Sequence, residues 1–327
     1  MPRLDPSALR RLLGPDALFC RRAISGEHGV ALPPFTDHHV HLHLIDERRL
    51  AAHGIAGVVD LGGDPVALSR RPREHMPRVT YAGAFLTAVG GYPVGRSWAP
   101  ASITREVSSA SLHPGEPGGA ATAVDEQVSF GASVIKVALN AAAGPVLPAA
   151  ILDAVVAAAR SNGLPVVAHV EGEGMAGVAV RAGVDVLAHT PFTAELDQGL
   201  ILRAAEAGQR WISTLAIHDD PAAAEVARSN LERFVAAGGS VLYGTDLGNG
   251  DLPVGVNVRE LEALTAAGVR GPALIEALAD PWPFAERTHA VATFVPGEPP
   301  GDADTVPAWL AGSTVLPSEE LLHDVFP

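Results

Sequence analysis

The stretch Phe35-Thr36-Asp37-His38-His39-Val40-His41 is an apolar, β-prone run that ends in two histidines one residue apart. Because side chains alternate across a strand, His39 and His41 point to the same side and can hold one metal ion. His38 alternates to the opposite side, where we expect it to be packed or hydrogen-bonded. By itself the pair fits a structural role as well as a metal site. Whether the pair binds a metal ion depends on the polar residues that end later runs of the same kind, namely Lys136, His169, His189 and Asp246.

From about residue 35 the chain alternates between short β-branched runs and Ala-, Leu-, Arg- and Glu-rich stretches of helical character. Two of these helical stretches, 150–161 and 221–237, are followed by glycine stop signals. Strand–helix alternation implies parallel strands joined by right-handed crossovers. The predicted strands are 35–41, 55–61, 80–86, 133–139, 165–170, 184–189, 210–215 and 240–246. Eight such units predict an α/β fold, a (β/α)8 TIM barrel over residues 35–284, rather than an open sheet.

Three segments lie outside this alternation. Residues 87–121 contain several Gly and Pro residues and would follow the third strand on the catalytic face. We predict that this long loop forms a lid, with an irregular insertion as the alternative. Residues 1–34 and 285–327 are Pro-rich and irregular, and we expect them to form a small packed appendage.

Composition restricts the class of protein. The 327 residues are 47% hydrophobic, which is enough for one large core. The formal net charge of −14 argues against a nucleic-acid partner, which would need a basic face. Cys20 is the only cysteine, so no intramolecular disulfide can form. No apolar run is long enough for a membrane span or a signal peptide, and we therefore expect a cytoplasmic protein with a small-molecule substrate and the possibility of a homo-oligomer.

The polar strand ends predict a metal site, because the C-terminal ends of barrel strands converge on one mouth. Four imidazoles and a carboxylate gathered there would repel or stay unsatisfied without a cation. Nitrogen and oxygen ligands suit Zn²⁺, and Mn²⁺, Fe²⁺ and Ni²⁺ remain open. Lys136 in such an apolar, cationic site loses its proton easily, and the neutral amine can take up carbon dioxide to form a carbamate that bridges two metals. The alternative is a salt-bridging lysine beside a single-metal site.

This ordered set resembles the amidohydrolase superfamily over about residues 35–280. The family pattern is Asp-x-His-x-His on strand 1, lysine on strand 4, histidines on strands 5 and 6, and aspartate on strand 8. The phrases Gly90-Gly91-Tyr92, Gly131-Ala132-Ser133-Val134-Ile135-Lys136 and Gly244-Thr245-Asp246 further resemble its imidazolonepropionase-like and metal-dependent prolidase-like branch. The family often has a terminal β-sandwich, which the 34 residues before the first strand predict to be reduced or absent.

The resemblance implies a binuclear centre with a hydroxide between two ions. One ion would be held by His39, His41 and Asp246, and the other by His169 and His189. A carboxylated Lys136 would bridge the two. In the related branch the Gly-Gly after strand 3 is often followed by histidine, whereas this chain has Tyr92, so substrate preference does not transfer at that position.

The expected function is that of a metal-dependent hydrolase that cleaves a C–N amide bond of a small, cyclic or N-acyl/dipeptide-like substrate. The bridging hydroxide would attack the carbonyl, and Asp246 would pass its proton to the leaving group. Tyr92 and His218 are candidate substrate-binding residues, with packing in the lid and a loop hydrogen bond as their respective alternatives. A lactonase or esterase on the same centre and a non-catalytic metal-binding barrel are the other hypotheses. No Gly-x-Ser-x-Gly motif supports a serine mechanism.

Overall fold

The computed structural model describes residues 5–72, 76–284 and 286–323 of the chain. Residues 1–4 and 324–327 of the predicted appendages, and residue 285, lie outside this part. The strands are β1 (Leu18–Arg22), β2 (His28–Leu32), β3 (Phe35–Val40), β4 (Ile55–Asp60), β5 (Arg78–Tyr81), β6 (Phe85–Thr87), β7 (Thr104–Glu106), β8 (Ile135–Asn140), β9 (Val166–Glu171), β10 (Val186–Leu187), β11 (Arg210–Ile212), β12 (Ser240–Leu242), β13 (Val291–Pro296), β14 (Thr314–Pro317) and β15 (Leu321–His323).

The α-helices mostly lie between these strands. They are α1 (Pro6–Leu13), α2 (Pro65–Ser69), α3 (Ala120–Ser129), α4 (Ala149–Ser161), α5 (Met175–Arg181), α6 (Gln198–Glu206), α7 (Pro221–Ala236), α8 (Val258–Ala266), α9 (Pro272–Ala279) and α10 (Val306–Leu310). Single turns of 3₁₀ helix occur at Leu42–Leu44, Glu47–Arg49, Ala51–His53, Ala101–Ile103, Leu215–Ile217, Ala303–Thr305 and Ser318–Glu320.

Parallel strands form the central part of the molecule, as the sequence predicted. One sheet has the order β3-β4-β5, and a second has the order β12-β11-β10-β9-β8-β6-β7. Each of the eight predicted strands is present, but the third is divided into β5 and β6. The chain between them turns at Gly83, which adopts the left-handed φ of 75° that favours glycine. Since β5 pairs with β4 and β6 pairs with β8, the divided strand connects the two sheets.

The opposite edges of these two sheets also meet. The backbone N–H of His38 donates to the Tyr243 carbonyl at 3.0 Å, and that of His41 donates to the Leu247 carbonyl at 2.8 Å. Val40 and Leu247 form an isolated parallel bridge. Strand β3 therefore lies beside the segment that follows β12, the last of the parallel strands.

Helix α7 shows how local sequence sets the predicted helices. Asp220 accepts a hydrogen bond from the Ala222 N–H, and Pro221 occupies the first turn, where proline is favourable. The buried face carries Phe234, whose ring stacks on Trp211 with centroids 3.9 Å apart. The helix ends beside Gly238, which has a φ of 81°. The predicted helices over 150–161 and 221–237 are confirmed as α4 and α7.

The terminal segments pair with each other in one antiparallel sheet. Its order is β14-β13-β2-β1-β15, so the two N-terminal strands lie side by side between C-terminal strands. Its small core consists of the buried residues Cys20, Ala31, Phe294, Leu316 and Leu321. Residues 18–32 and 291–323 are therefore one structural unit.

The predicted long loop 87–121 contains regular structure that the sequence analysis missed. Strand β7 adds to the edge of the larger sheet beside β6, and α3 begins at Ala120. The three residues of β7, Thr-Arg-Glu, are too few and too polar to show a strand pattern. The earlier part of the segment packs Tyr92 and Trp98 against a buried cluster that includes Phe85.

Within the described residues, no helix combines the length and apolar character needed to cross a bilayer.

Glu260 on α8 is a fully buried carboxylate that generates a stability prediction. It accepts a hydrogen bond from the Ala216 N–H at 2.7 Å, and burial raises its pKa to about 7. Because the folded state holds the proton more tightly than the unfolded chain, this contribution to stability is full below the ordinary pKa of 4.5 and is lost as the pH rises through about 7.

We predict that Glu260→Gln weakens this pH dependence. Between pH 5 and pH 8 the variant should lose less unfolding free energy than the native chain, by on the order of 1 to 3 kcal/mol. Urea unfolding with a chelator present measures the difference. Glu262→Gln, an exposed position on the same helix, is the matched control. An unchanged pH dependence in Glu260→Gln would show that this carboxyl does not titrate on folding.

Candidate metal centre

The centre is assembled where β3 meets the segment after β12. The buried Asp37 carboxylate accepts hydrogen bonds from the Thr245 hydroxyl at 2.6 Å, the Thr245 N–H at 3.1 Å and the His39 N–H at 3.1 Å. Gly244 allows this close approach, because a Cβ there would overlap the Ile212 side chain and lie 3.2 Å from the His39 backbone nitrogen. The two segments are therefore fixed against each other directly beside the predicted ligands.

His39, His41 and Asp246 form a tight group of potential ligand atoms. Asp246 Oδ1 lies 3.1 Å from His39 Nε2 and 3.3 Å from His41 Nε2. All three side chains are buried. His39 Nε2 and Asp246 Oδ1 are buried atoms with no hydrogen-bond partner in the described part of the chain. Such orphaned lone pairs are costly unless something binds them, and a nitrogen–oxygen donor set of this kind fits a divalent cation.

The outer nitrogen of each histidine is already occupied. His39 Nδ1 lies 2.8 Å from the Ala188 carbonyl, and His41 Nδ1 lies 3.1 Å from the Gly62 carbonyl. A carbonyl only accepts, so each Nδ1 carries a proton, and in the neutral imidazole Nε2 then keeps its lone pair. Burial lowers the pKa of His39 well below its usual value, which keeps the imidazole neutral. Metal-binding histidines are commonly oriented by such bonds.

Lys136, His169 and His189 are the residues predicted for the second half of the centre, and they line the same cavity. The His189 ring centroid lies 4.7 Å from that of His39 and 5.0 Å from that of His169. His189 Nδ1 contacts the Thr214 hydroxyl at 2.9 Å. This half is less preorganised than the first, since His169 Nε2 lies 3.2 Å from Glu171 Oε2.

The Lys136 side chain is 1% exposed, and its Nζ lies 5.7 Å from the centroid of the Phe85 ring. No carboxylate within the described residues forms an ion pair with it. Burial lowers its pKa to about 7, although Asp246 and Asp60 act in the opposite direction. Lys136 is also the only lysine among 23 lysine and arginine residues. At this one position the chain therefore has the basic residue that can lose its proton, which arginine cannot do.

Asp246 is held in an unusual backbone conformation, with a φ of 53°. Asn249 fixes the carboxylate, because its side-chain amide donates to Asp246 Oδ2 at 2.8 Å. Its backbone N–H also donates to the Asp246 carbonyl at 3.0 Å. Non-glycine residues in this region are uncommon and concentrate at functional sites. Oδ2 is thereby occupied, and Oδ1 faces the histidines.

One cavity of about 170 Å³ brings all six predicted ligands together. Its lining is His39, His41, Leu44, Phe85, Tyr92, Trp98, Lys136, His169, His189, Asp246, Gly248 and Asn249.

The structure separates the two candidate substrate residues. Tyr92 lines the cavity and stacks on His169, with ring centroids 5.1 Å apart. His218 is not in the lining and packs its ring 4.6 Å from Phe192. His38 lies on the far side of β3, where its ring nitrogens contact the Tyr243 and Asp280 carbonyls.

The sequence analysis missed three contributors to the site. Asn249 follows Asp246 by three residues, a spacing that allows a side chain to bond back to the turn. Asp37 belongs to the quoted motif, but its partner Thr245 is distant in sequence. Phe85 had no signal beyond its place near the end of a strand.

Comparison with known proteins places the fold. No family model matches the sequence, and no curated protein matches it. A solved Xaa-Pro dipeptidase with bound methionine in its active site is 18% identical, with 90% of this chain and 86% of that chain covered and a TM-score of 0.69. A. niger ochratoxinase is 19% identical, with 88% and 82% covered and a TM-score of 0.68. The bottromycin amidohydrolase is 20% identical, with 98% and 91% covered and a TM-score of 0.63.

At these identities the similarity establishes the fold alone. The chain shares the fold of these solved proteins, and its parallel strands alternating with helices confirm the α/β class expected from the sequence.

We predict that Gly244→Ala weakens metal binding at least about ten-fold, a loss of roughly 1.4 kcal/mol. The added methyl group must push β3 away from the turn that carries Asp246. Calorimetric titration of the chelator-treated chain with zinc measures the effect. Gly301→Ala is the control, because a Cβ there meets nothing within 4 Å. Equal zinc affinity in the two variants would contradict the dependence of the centre on this contact.

Proposed function

We propose that this protein is a metal-dependent hydrolase that cleaves a C–N amide bond in a small molecule. The observation that carries the proposal is the convergence of His39, His41, Lys136, His169, His189 and Asp246 on one cavity. The orphaned His39 Nε2 and Asp246 Oδ1 support it, because they are the atoms that a cation would bind. The names of two proteins with this fold, a dipeptidase and an amidohydrolase, denote enzymes that act on amide bonds.

We infer that the two parallel sheets are parts of one (β/α)8 barrel. The support is the pair of junctions described above, one at the divided third strand and one between β3 and the segment after β12. In such a barrel the cavity lies at the C-terminal ends of the strands, where barrel enzymes have their active sites.

In this proposal, His39, His41 and Asp246 would hold one divalent ion, and His169 and His189 would hold a second. A carboxylated Lys136 would be a ligand shared by the two ions. The donor set suits zinc, and manganese, iron or nickel would fit the same ligands. When bound, the ions would supply a water-derived nucleophile at neutral pH and polarise the substrate carbonyl.

Asp246 is the residue placed to move the proton. Asn249 occupies its Oδ2, which leaves the other oxygen directed into the cavity between the histidines. In amide hydrolysis the carboxylate would accept the proton of the attacking water and deliver it to the leaving nitrogen, which departs poorly as an anion.

Tyr92 is the proposed hydrogen-bond donor to the substrate carbonyl. Burial and the nearby carboxylates of Asp246 and Glu171 raise its pKa, so its hydroxyl stays protonated at neutral pH. A neutral donor in the cavity wall can stabilise negative charge that develops on the carbonyl oxygen.

The direct test combines metal content with a substrate panel. We expect two ions per chain after loading with zinc or manganese, and hydrolysis of amides or dipeptides in preference to lactones. Fewer than one tightly bound ion, with no activity restored by added metal, would overturn the hydrolase proposal. Rapid lactone hydrolysis without amide hydrolysis would instead assign a lactonase or esterase to the same centre.

We predict that Asp246→Asn loses about 10²- to 10⁴-fold in kcat, the usual contribution of a general acid–base group. The amide oxygen can still coordinate, so much of the bound metal should remain. Steady-state kinetics and metal analysis are done on the same sample. Asp251→Asn, an exposed carboxylate on the following loop, is the control. Near-normal turnover in Asp246→Asn would remove Asp246 from the proton-transfer role.

A further inference from the structure

Three aromatic side chains form one side of the cavity, and we call Phe85, Tyr92 and Trp98 the aromatic wall. Trp98 lies in the middle, with ring centroids 6.1 Å from Phe85 and 6.0 Å from Tyr92. Both contacts are inclined, with interplanar angles of 69° and 57°, as in stable aromatic pairs. The wall therefore presents a broad apolar surface made of contiguous rings.

The aromatic wall extends along both halves of the metal centre. The Phe85 ring lies 5.8 Å from that of His41, nearly parallel to it. At the other end, Tyr92 stacks on His169. Because His41 and His169 belong to opposite halves, a carbonyl bound between the halves would have its substituent beside these rings.

Packing holds the aromatic wall in place before any ligand arrives. The wall rests on a buried cluster of Ala99, Ile103 and Ala138. The turn that carries it is closed by backbone hydrogen bonds, including one from Ala99 to the Arg96 carbonyl at 3.0 Å. A preformed apolar surface binds a flat group without the cost of ordering side chains.

The charged side chains that line the cavity all belong to the proposed metal ligands. The six other lining residues within the described chain, Leu44, Phe85, Tyr92, Trp98, Gly248 and Asn249, carry none. Apart from the ions of the proposed centre, these six residues offer a substrate carboxylate no cationic partner to replace its hydration, which is unfavourable.

Arg96, which lies beside Tyr92, does not turn the cavity rim into a binding site for a carboxylate. Arg96 is exposed, and its guanidinium carbon lies 5.8 Å from the centroid of the Tyr92 ring. Glu171 carries the opposite charge nearby; a hydrogen bond with His169 lowers its pKa, and Arg96 contributes to that shift. The rim therefore offers a mixed pair of charges and no net cationic site.

We propose that the substrate is an amide with an aromatic or similarly flat apolar group against the aromatic wall and no carboxylate next to the scissile bond. This inference rests on the proposed amide hydrolysis. It separates the chain from an enzyme for free dipeptides, in which every substrate carries a terminal carboxylate.

The test uses three amides that differ in one feature each. N-phenylacetylpyrrolidine has the ring and no charge, N-phenylacetyl-L-proline adds a carboxylate, and N-acetylpyrrolidine lacks the ring. With the zinc-loaded full chain, kcat/KM should be at least about ten-fold higher for the first than for either of the others, or roughly 1.4 kcal/mol in transition-state binding. Equal or better hydrolysis of the proline compound or the acetyl compound would overturn the inference while leaving the hydrolase proposal intact.

Variants test which residues set the preference. Trp98→Leu should raise KM for N-phenylacetylpyrrolidine at least about five-fold (roughly 1 kcal/mol) with metal content unchanged. Trp309→Leu, outside the cavity lining, is the matched control and should not alter KM. Arg96→Ala should leave the ratio of kcat/KM for the first two amides unchanged. A selective loss of proline-compound hydrolysis in Arg96→Ala would contradict the inference, because it would identify Arg96 as a carboxylate anchor.

Binding calorimetry keeps the two proposals distinguishable. If none of the three amides is hydrolysed but N-phenylacetylpyrrolidine binds the zinc-loaded chain more tightly than the others, the apolar site stands and the hydrolase proposal is decided by the metal content and the wider substrate panel. If the three are neither hydrolysed nor distinguished in binding, the apolar-site inference is wrong, whatever the outcome for the hydrolase proposal.

Discussion

The Asp37 carboxylate holds together the two chain segments on which the candidate centre depends. It bonds His39 at the end of β3 and Thr245 in the turn before Asp246, 208 residues away. This contact places the turn that carries Asp246 next to His39 and His41. With it, two imidazole nitrogens and a carboxylate oxygen converge in a buried space. A charged or polar group buried this completely is stable only when its hydrogen bonds are satisfied, and Asp37 accepts three.

The two halves of the centre differ in how far the protein alone organises them. In the first half, the imidazoles are oriented by backbone carbonyls and Asp246 is oriented by Asn249. The second half contains a lysine and two histidines whose attraction for one another is weak. In our proposal, a second ion in this half would need a negative charge in addition to the Glu171 carboxylate beside His169. A carbamate on Lys136 would supply that charge and would relieve the burial of an unpaired ammonium.

Much of this arrangement could be predicted from the sequence because the parallel strands are short, apolar and separated by helices. The position of a polar residue at a strand end then implies convergence, and the six residues selected in this way all line one cavity. What depends on contacts between distant segments could not be predicted in this way. The division of the third strand at Gly83 depends on a local turn within an apolar run. The pairing of β2 with β13 joins Leu32 to Thr293 from the other end of the chain, and no local periodicity can predict such a contact.

The side chains around the ligands were the least predictable part. Phe85, Tyr92 and Trp98 come from a strand end and a loop, and only the folded chain shows that their rings are contiguous. His218 follows a predicted strand, but only the folded chain shows that its ring packs on Phe192 and is not part of the cavity lining.

The most direct measurement of the central claim is ¹³C NMR of the zinc-loaded chain prepared in ¹³C-bicarbonate. Because Lys136 is the only lysine, a lysine carbamate can give a single resonance, and any carbamate on the chain's terminal amine would remain in Lys136→Ala. The account predicts one carbamate resonance that is present with metal, disappears on chelation and is missing in Lys136→Ala. A spectrum without that resonance, from protein that has bound two ions, would contradict a centre bridged by Lys136.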